Sequence, residues 1–114
     1  MDTQKYQQIY QYLTQQILPT SLTTTQQINR FKNSCNNFII KGNIIFKQDK
    51  RKQDNLLKVP RRFELEPILF MMHNDPTAGH FATDTIFRKI KNHYYWPQMY
   101  EDIRSYVQSC NSCR

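Results

Sequence analysis

Long apolar runs are missing from this chain of 114 residues. Nothing approaches the roughly 20 consecutive apolar residues that a membrane-crossing helix needs, so no membrane partner is expected. The opening stretch MDTQKYQQIYQYLTQQ is polar and amphipathic. It lacks the apolar core of a signal peptide, which points to an intracellular protein. Cysteine is also scarce. Three cysteines in an intracellular chain suggest metal binding more than disulfides. A Cys110–Cys113 disulfide is the rival, but thioredoxin-type Cys-x-x-Cys motifs open a helix after a strand, and nothing here has that arrangement. Acidic residues are the third shortage. Nine Asp and Glu face sixteen Lys and Arg, for a formal net charge of +7.

That excess is unevenly spread. Residues 1–60 carry nine Lys and Arg against three Asp, whereas residues 61–114 carry seven against six Asp and Glu. The excess peaks at Lys47, Lys50, Arg51, Lys52, Lys58, Arg61 and Arg62. Such a block favours polyanions such as DNA or RNA. The plainer reading is a solvated hairpin tip that keeps the protein soluble, and both readings stay open.

Tyr6, Ile9, Tyr10, Leu13 and Ile17 recur at spacings of three and four, which predicts a helix over 3–18, capped by Asp2 or Thr3 and ended by Pro19. One of Thr23 to Thr25 caps a second helix with Ile28, Phe31 and Cys35 inward. Phe38-Ile39-Ile40 and Ile44-Ile45-Phe46 flank Lys41-Gly42-Asn43 as a hairpin. Leu56-Leu57-Lys58-Val59 supplies a third strand, and Pro60 closes the meander. A third helix is expected from Arg61 or Arg62 to Asn74, with Leu65, Ile68, Leu69 and Met72 as its stripe and Glu64 and Glu66 in its first turn. A fourth, capped by Thr83, runs to about Asn92 with Ile86, Phe87 and Ile90 inward. Pro97 then takes a first helical position ahead of Met99, Ile103, Tyr106 and Val107.

What remains are the residues with metal chemistry. The pattern is His73, six residues, His80, twenty-nine residues, then Cys110-Asn111-Ser112-Cys113. Two nitrogen and two sulfur donors make a tetrahedral zinc set. Gly79 lets the backbone bend just before the second histidine, and the long interval has room for two helices that fold back. Two thiolates cancel the charge of the ion, so the site can be buried. Four donors leave no place for a reacting water, which argues for a structural metal. A domain the size of residues 61–114 buries only about 60% of its unfolded surface, whereas a structural zinc contributes an apparent ~10–16 kcal/mol. The expected architecture is α+β and mostly α: a helical segment over 1–36, a β-meander over 37–60, and a zinc-stabilised three-helix bundle over 61–114.

The stretch His73-Asn-Asp-Pro-Thr-Ala-Gly79-His80, then Thr85, then Tyr94-Tyr95-Trp96-Pro97-Gln98-Met99, then Tyr106-Val107-Gln108-Ser109-Cys110-Asn-Ser-Cys113 resembles the His-His-Cys-Cys zinc-binding domain of integrases. The type it is most similar to is that of Ty3/gypsy-type retrotransposons. Residues 63–114 carry the likeness, and the part before them is similar to segments that precede this domain in such polyproteins. The resemblance implies a small helical bundle closed by zinc, a nuclear location, and contact with DNA or with further copies of integrase. In that family a catalytic core with a carboxylate triad follows this domain. The chain is therefore expected to be a fragment, a degenerate element-derived gene or one exon of something longer, without catalysis of its own.

Two classes of function follow: a zinc module of a retroelement integrase that meets nucleic acid or another integrase copy, or a structural, protein-interaction module without DNA binding. An enzyme is disfavoured. Zinc would consume the Cys and His nucleophile candidates, and Glu64 and Glu66 are expected on a solvated helix side. His93 reads as a surface or capping residue, Cys35 as a small buried hydrophobe, and Tyr94, Tyr95 and Trp96 as core packing more than base stacking.

Overall fold

The computed structural model describes residues 1–52, 55–73 and 83–109. Among them are five α-helices and one three-stranded antiparallel sheet, so the architecture is mixed α+β and mostly helical.

Helix α1 spans Thr3–Gln15 and is capped by Asp2, whose carboxylate accepts the Lys5 N–H. It stops three residues short of the expected end. Gln16 turns left-handed (φ 58°) and returns its N–H to the Tyr12 carbonyl, so Ile17 faces outward at 48% exposure. Leu18, placed before Pro19, is also biased away from helix. Of the candidate caps Thr23 to Thr25, Thr24 opens helix α2 (Thr25–Cys35), and it does so in a capping box: Thr24 accepts the Gln27 N–H, and the Gln27 side chain accepts the Thr24 N–H. The two helices pair through an edge-to-face contact of Tyr12 and Phe31, with centroids 5.5 Å apart.

The meander is β1 (Phe38–Lys41), β2 (Ile44–Gln48) and β3 (Leu56–Lys58), in that spatial order. Gly42 (φ 56°) and Asn43 (φ 63°) both take positive φ, as a two-residue primed turn requires. The register pairs Ile40 with Ile45 and Lys47 with Leu57. Helix α1 lies against this sheet, and the Tyr6 hydroxyl accepts the buried Ile45 N–H at 3.1 Å. Val59, expected in the third strand, lies just beyond it but still donates to the Ile45 carbonyl at 2.9 Å.

The next element differs from the single helix expected from residue 61 or 62. A 3-10 turn (Arg62–Glu64) leads into α3 (Leu65–His73). Pro67 explains the step: it has no N–H for the Phe63 carbonyl, so the chain enters the α-helix through a tighter turn. Glu64 is also not on a solvated side. It is half-buried, its carboxylate accepts the Arg61 N–H at 3.0 Å, and Lys58 Nζ lies 3.6 Å away. Helix α4 (Thr83–Ile90) ends two residues early in a turn that leaves His93 exposed. Helix α5 (Met99–Ser109) begins after Pro97, not on it. Gln98 has φ 65°, which no helical residue takes, and its carbonyl accepts the Asp102 N–H.

Helices α3, α4 and α5 pack against one another. One apolar cluster joins Tyr6, Ile9, Cys35 and Ile45 to Leu69, Ile86, Ile90, Trp96, Ile103 and Val107. Trp96 is the largest buried side chain, 2% exposed, and its Nε1 donates to Asp102 Oδ2 at 2.9 Å. Tyr6→Phe keeps the ring but leaves the buried Ile45 N–H without a partner, which costs about 1–3 kcal/mol. Urea unfolding checks this: the midpoint should fall while the slope stays the same.

Candidate metal centre and basic tip

The four expected metal donors fall largely outside the described residues. His80, Cys110 and Cys113 lie there entirely, and His73 enters only as the last residue of α3. In sequence the donors adjoin the described helices: α3 is described as far as His73, α4 from Thr83 and α5 as far as Ser109. These three helices pack on one another. Among the described residues no group of three His, Cys, Asp or Glu gathers to hold a metal. The donor set itself fits zinc, with two imidazole nitrogens and two thiolates for a tetrahedron.

The two other chemistry-bearing residues behave as their sequence context implied. Cys35 is fully buried, and burial pushes its thiol above the ordinary value, as befits a small hydrophobe. His93 is exposed, its N–H donates to the Ile90 carbonyl at 3.0 Å, and its own carbonyl accepts the Lys58 N–H.

The seven basic candidates separate into two groups. Lys58, Arg61 and Arg62 lie around the start of the 3-10 turn. Lys58 pairs with Glu64, and the Arg61 guanidinium stands 4.7 Å from the centre of the Tyr6 ring. Lys47, Lys50, Arg51 and Lys52 lie at the turn between β2 and β3. Lys50, Arg51 and Lys52 are exposed. Lys47 is half-buried, with Nζ 3.7 Å over the Tyr95 ring. Burial, and then the neighbouring Lys50, hold its ammonium below the ordinary lysine value.

Asp49, which sequence reasoning passed over, organises that turn. It is 4% exposed. Its carboxylate accepts the Arg51 N–H at 2.9 Å and the Asn55 Nδ2 at 3.2 Å, with Arg51 Nε 3.5 Å away. Asn55 also donates to the Asn92 carbonyl, which ties the turn to the end of α4. An Asp followed two residues later by a donor N–H is the signal that could have revealed it.

With the helices and donors in place, comparison with known proteins assigns the C-terminal lobe. Residues 61–114 match the integrase zinc binding domain family, as the resemblance of their motifs implied, and this is the zinc-binding domain found within retroelement Pol polyproteins. Among individual proteins, the chain is 35% identical over 85 residues to the Retrovirus-related Pol polyprotein from transposon 412 of Drosophila melanogaster. It is 30% identical over 63 residues to the Pro-Pol polyprotein of feline foamy virus. These matches take in 73% and 55% of this chain but only 6% and 5% of those polyproteins. The first is longer than residues 61–114 can supply, so the likeness reaches back before the zinc lobe. No solved structure matches the chain.

The Arg51 N–H, foremost, and then the Asn55 amide and the Arg51 charge, hold the Asp49 carboxyl below the usual carboxylate range against the opposing effect of burial. A depressed folded-state value means that Asp49 contributes stability above the unfolded value of about 3.9, which is lost as pH falls through the folded value. The Arg51 and Asn55 amide resonances should therefore shift together on acidification below about pH 4. In Asp49→Asn that titration should vanish, and its persistence would assign it to another group.

Proposed function

We propose that residues 61–114 form a zinc-closed three-helix lobe of a retroelement integrase, with His73, His80, Cys110 and Cys113 as the ligands. When bound, zinc would pin the end of α3 to the end of α5 without offering an open coordination position. The lobe is a non-catalytic module that supports nucleic-acid contact or assembly with further copies of integrase, and its place of action is the nucleus. The observation that carries this reading is the match of residues 61–114 to the integrase zinc binding domain family, on helices α3, α4 and α5 that pack together. The positive charge, +7 over the chain and concentrated in residues 1–60 beside the lobe, supports nucleic acid as the partner of the chain.

The second reading, an interaction module without DNA binding, draws on one feature. Phe63, Phe70 and Met71 stand 69%, 59% and 71% exposed on α3 and the turn before it. Exposed apolar side chains grouped on one helix and its entry turn suit contact with another protein.

Cys110→Ser and Cys113→Ser should each reduce zinc from one ion per chain to near none in native mass spectrometry. Each should also remove much of the far-UV circular dichroism of the lobe, because about 10–16 kcal/mol of apparent metal-binding energy is lost. Zinc-free variants that melt as the parent does would show that the lobe stands without metal.

A further inference from the structure

The turn between β2 and β3 does not stand alone as a solvated tip. It meets the end of α4 and the segment before α5 across a hollow of ≈ 220 Å³, into which Lys47, Lys50, Arg51, Lys91, Tyr94 and Tyr95 all project surface. Lys91 belongs to the zinc lobe and lies far from the tip in sequence. The sheet and the lobe thus contribute cations to one place. We propose that Lys47, Lys50, Arg51 and Lys91 together form a sequence-independent contact for the phosphate backbone of a nucleic acid, a proposal that rests on the nucleic-acid reading above.

Three observations select this ligand. The acid in the hollow, Asp49, is engaged by Asn55 and by Arg51, whose charge it offsets, so the three lysines Lys47, Lys50 and Lys91 make the hollow's positive excess. The Tyr95 ring is engaged, with Lys47 Nζ 3.7 Å from its centroid and Phe38 edge-on at 6.2 Å, and the half-buried Tyr94 packs against the apolar core, so both rings are already in contact with protein groups. The outer edge of β3 is closed, because the Lys58 N–H donates to the His93 carbonyl and the Tyr95 N–H donates to the Lys58 carbonyl. At Lys58 the edge is thus no longer open to a peptide strand. Clustered cations beside rings and a strand residue already engaged by protein suit phosphates.

The test uses the full zinc-loaded chain and measures affinity against salt for a short DNA duplex and for the matching single strand. Lys50→Gln with Lys91→Gln should lower the steepness of log affinity against log salt by about 1.8 on duplex, or about 1.4 on single strand, two phosphate contacts being lost. Lys32→Gln, on α2, should change neither, and all variants should keep their zinc and melting behaviour. The strand form that shows the loss is the source of the phosphates. If the parent binds DNA but the double variant retains the full salt dependence, the hollow is not the contact, although the nucleic-acid reading stands. If the parent fails to bind either DNA at low salt, both fall. An acidic peptide that binds more tightly than DNA and loses affinity in the same double variant overturns the nucleic-acid assignment alone.

Discussion

The C-terminal helices hang on the sheet through one exchange of main-chain hydrogen bonds. The Lys58 N–H reaches the His93 carbonyl at 3.0 Å, and the Tyr95 N–H reaches the Lys58 carbonyl at 2.9 Å. Lys58 and Tyr94 are thereby joined as a parallel bridge on the outer side of β3. The consequences spread from there. At Lys58 the edge strand has its outward donor and acceptor paired, which would otherwise invite pairing with another chain. The next residue, Trp96, is delivered into the core, where its indole N–H finds Asp102. The hollow beneath the basic tip exists because Tyr94 and Tyr95 are held alongside Lys47 and Leu57.

A lobe of some fifty residues buries little apolar area by itself. Here part of the shortfall is met by neighbours outside the family match. Tyr6 and Ile9 of α1, Cys35 of α2 and Ile45 of β2 belong to the same cluster as Ile86, Ile90 and Ile103. The Met1 ammonium donates to the Pro60 carbonyl at 2.8 Å, where burial lowers its proton affinity. The segment before the lobe therefore works as its cover. The reach of the transposon 412 likeness beyond residues 61–114 is consistent with that partnership.

Much of this was legible in the residues. The His73, His80, Cys110, Cys113 spacing and the Tyr-Tyr-Trp-Pro element named the family, because few sequences place two nitrogen and two sulfur donors around a helical interval. A cap among Thr23 to Thr25, the Gly42-Asn43 turn and the stripes through Ile86, Ile90, Ile103 and Val107 were readable because each depends on neighbours within a few residues. Errors arose where backbone geometry departed from pattern. Apolar spacing carried α1 to Leu18, yet the left-handed Gln16 ended it first. Pro97 looked like a helix start, yet the positive φ of Gln98 moved the start to Met99.

Periodicity, capping chemistry and donor spacing are local properties, and they determined the element types, the hairpin and the likeness to integrase zinc domains. Which residues meet across the molecule was decided by the fold alone. Lys91 joining Lys47, Asn55 reaching the Asn92 carbonyl, and the Tyr6 hydroxyl meeting the Ile45 N–H all depend on how distant segments pack. A sequence records each side chain's chemistry, but the partner that satisfies or perturbs it is chosen only when separate elements share one core.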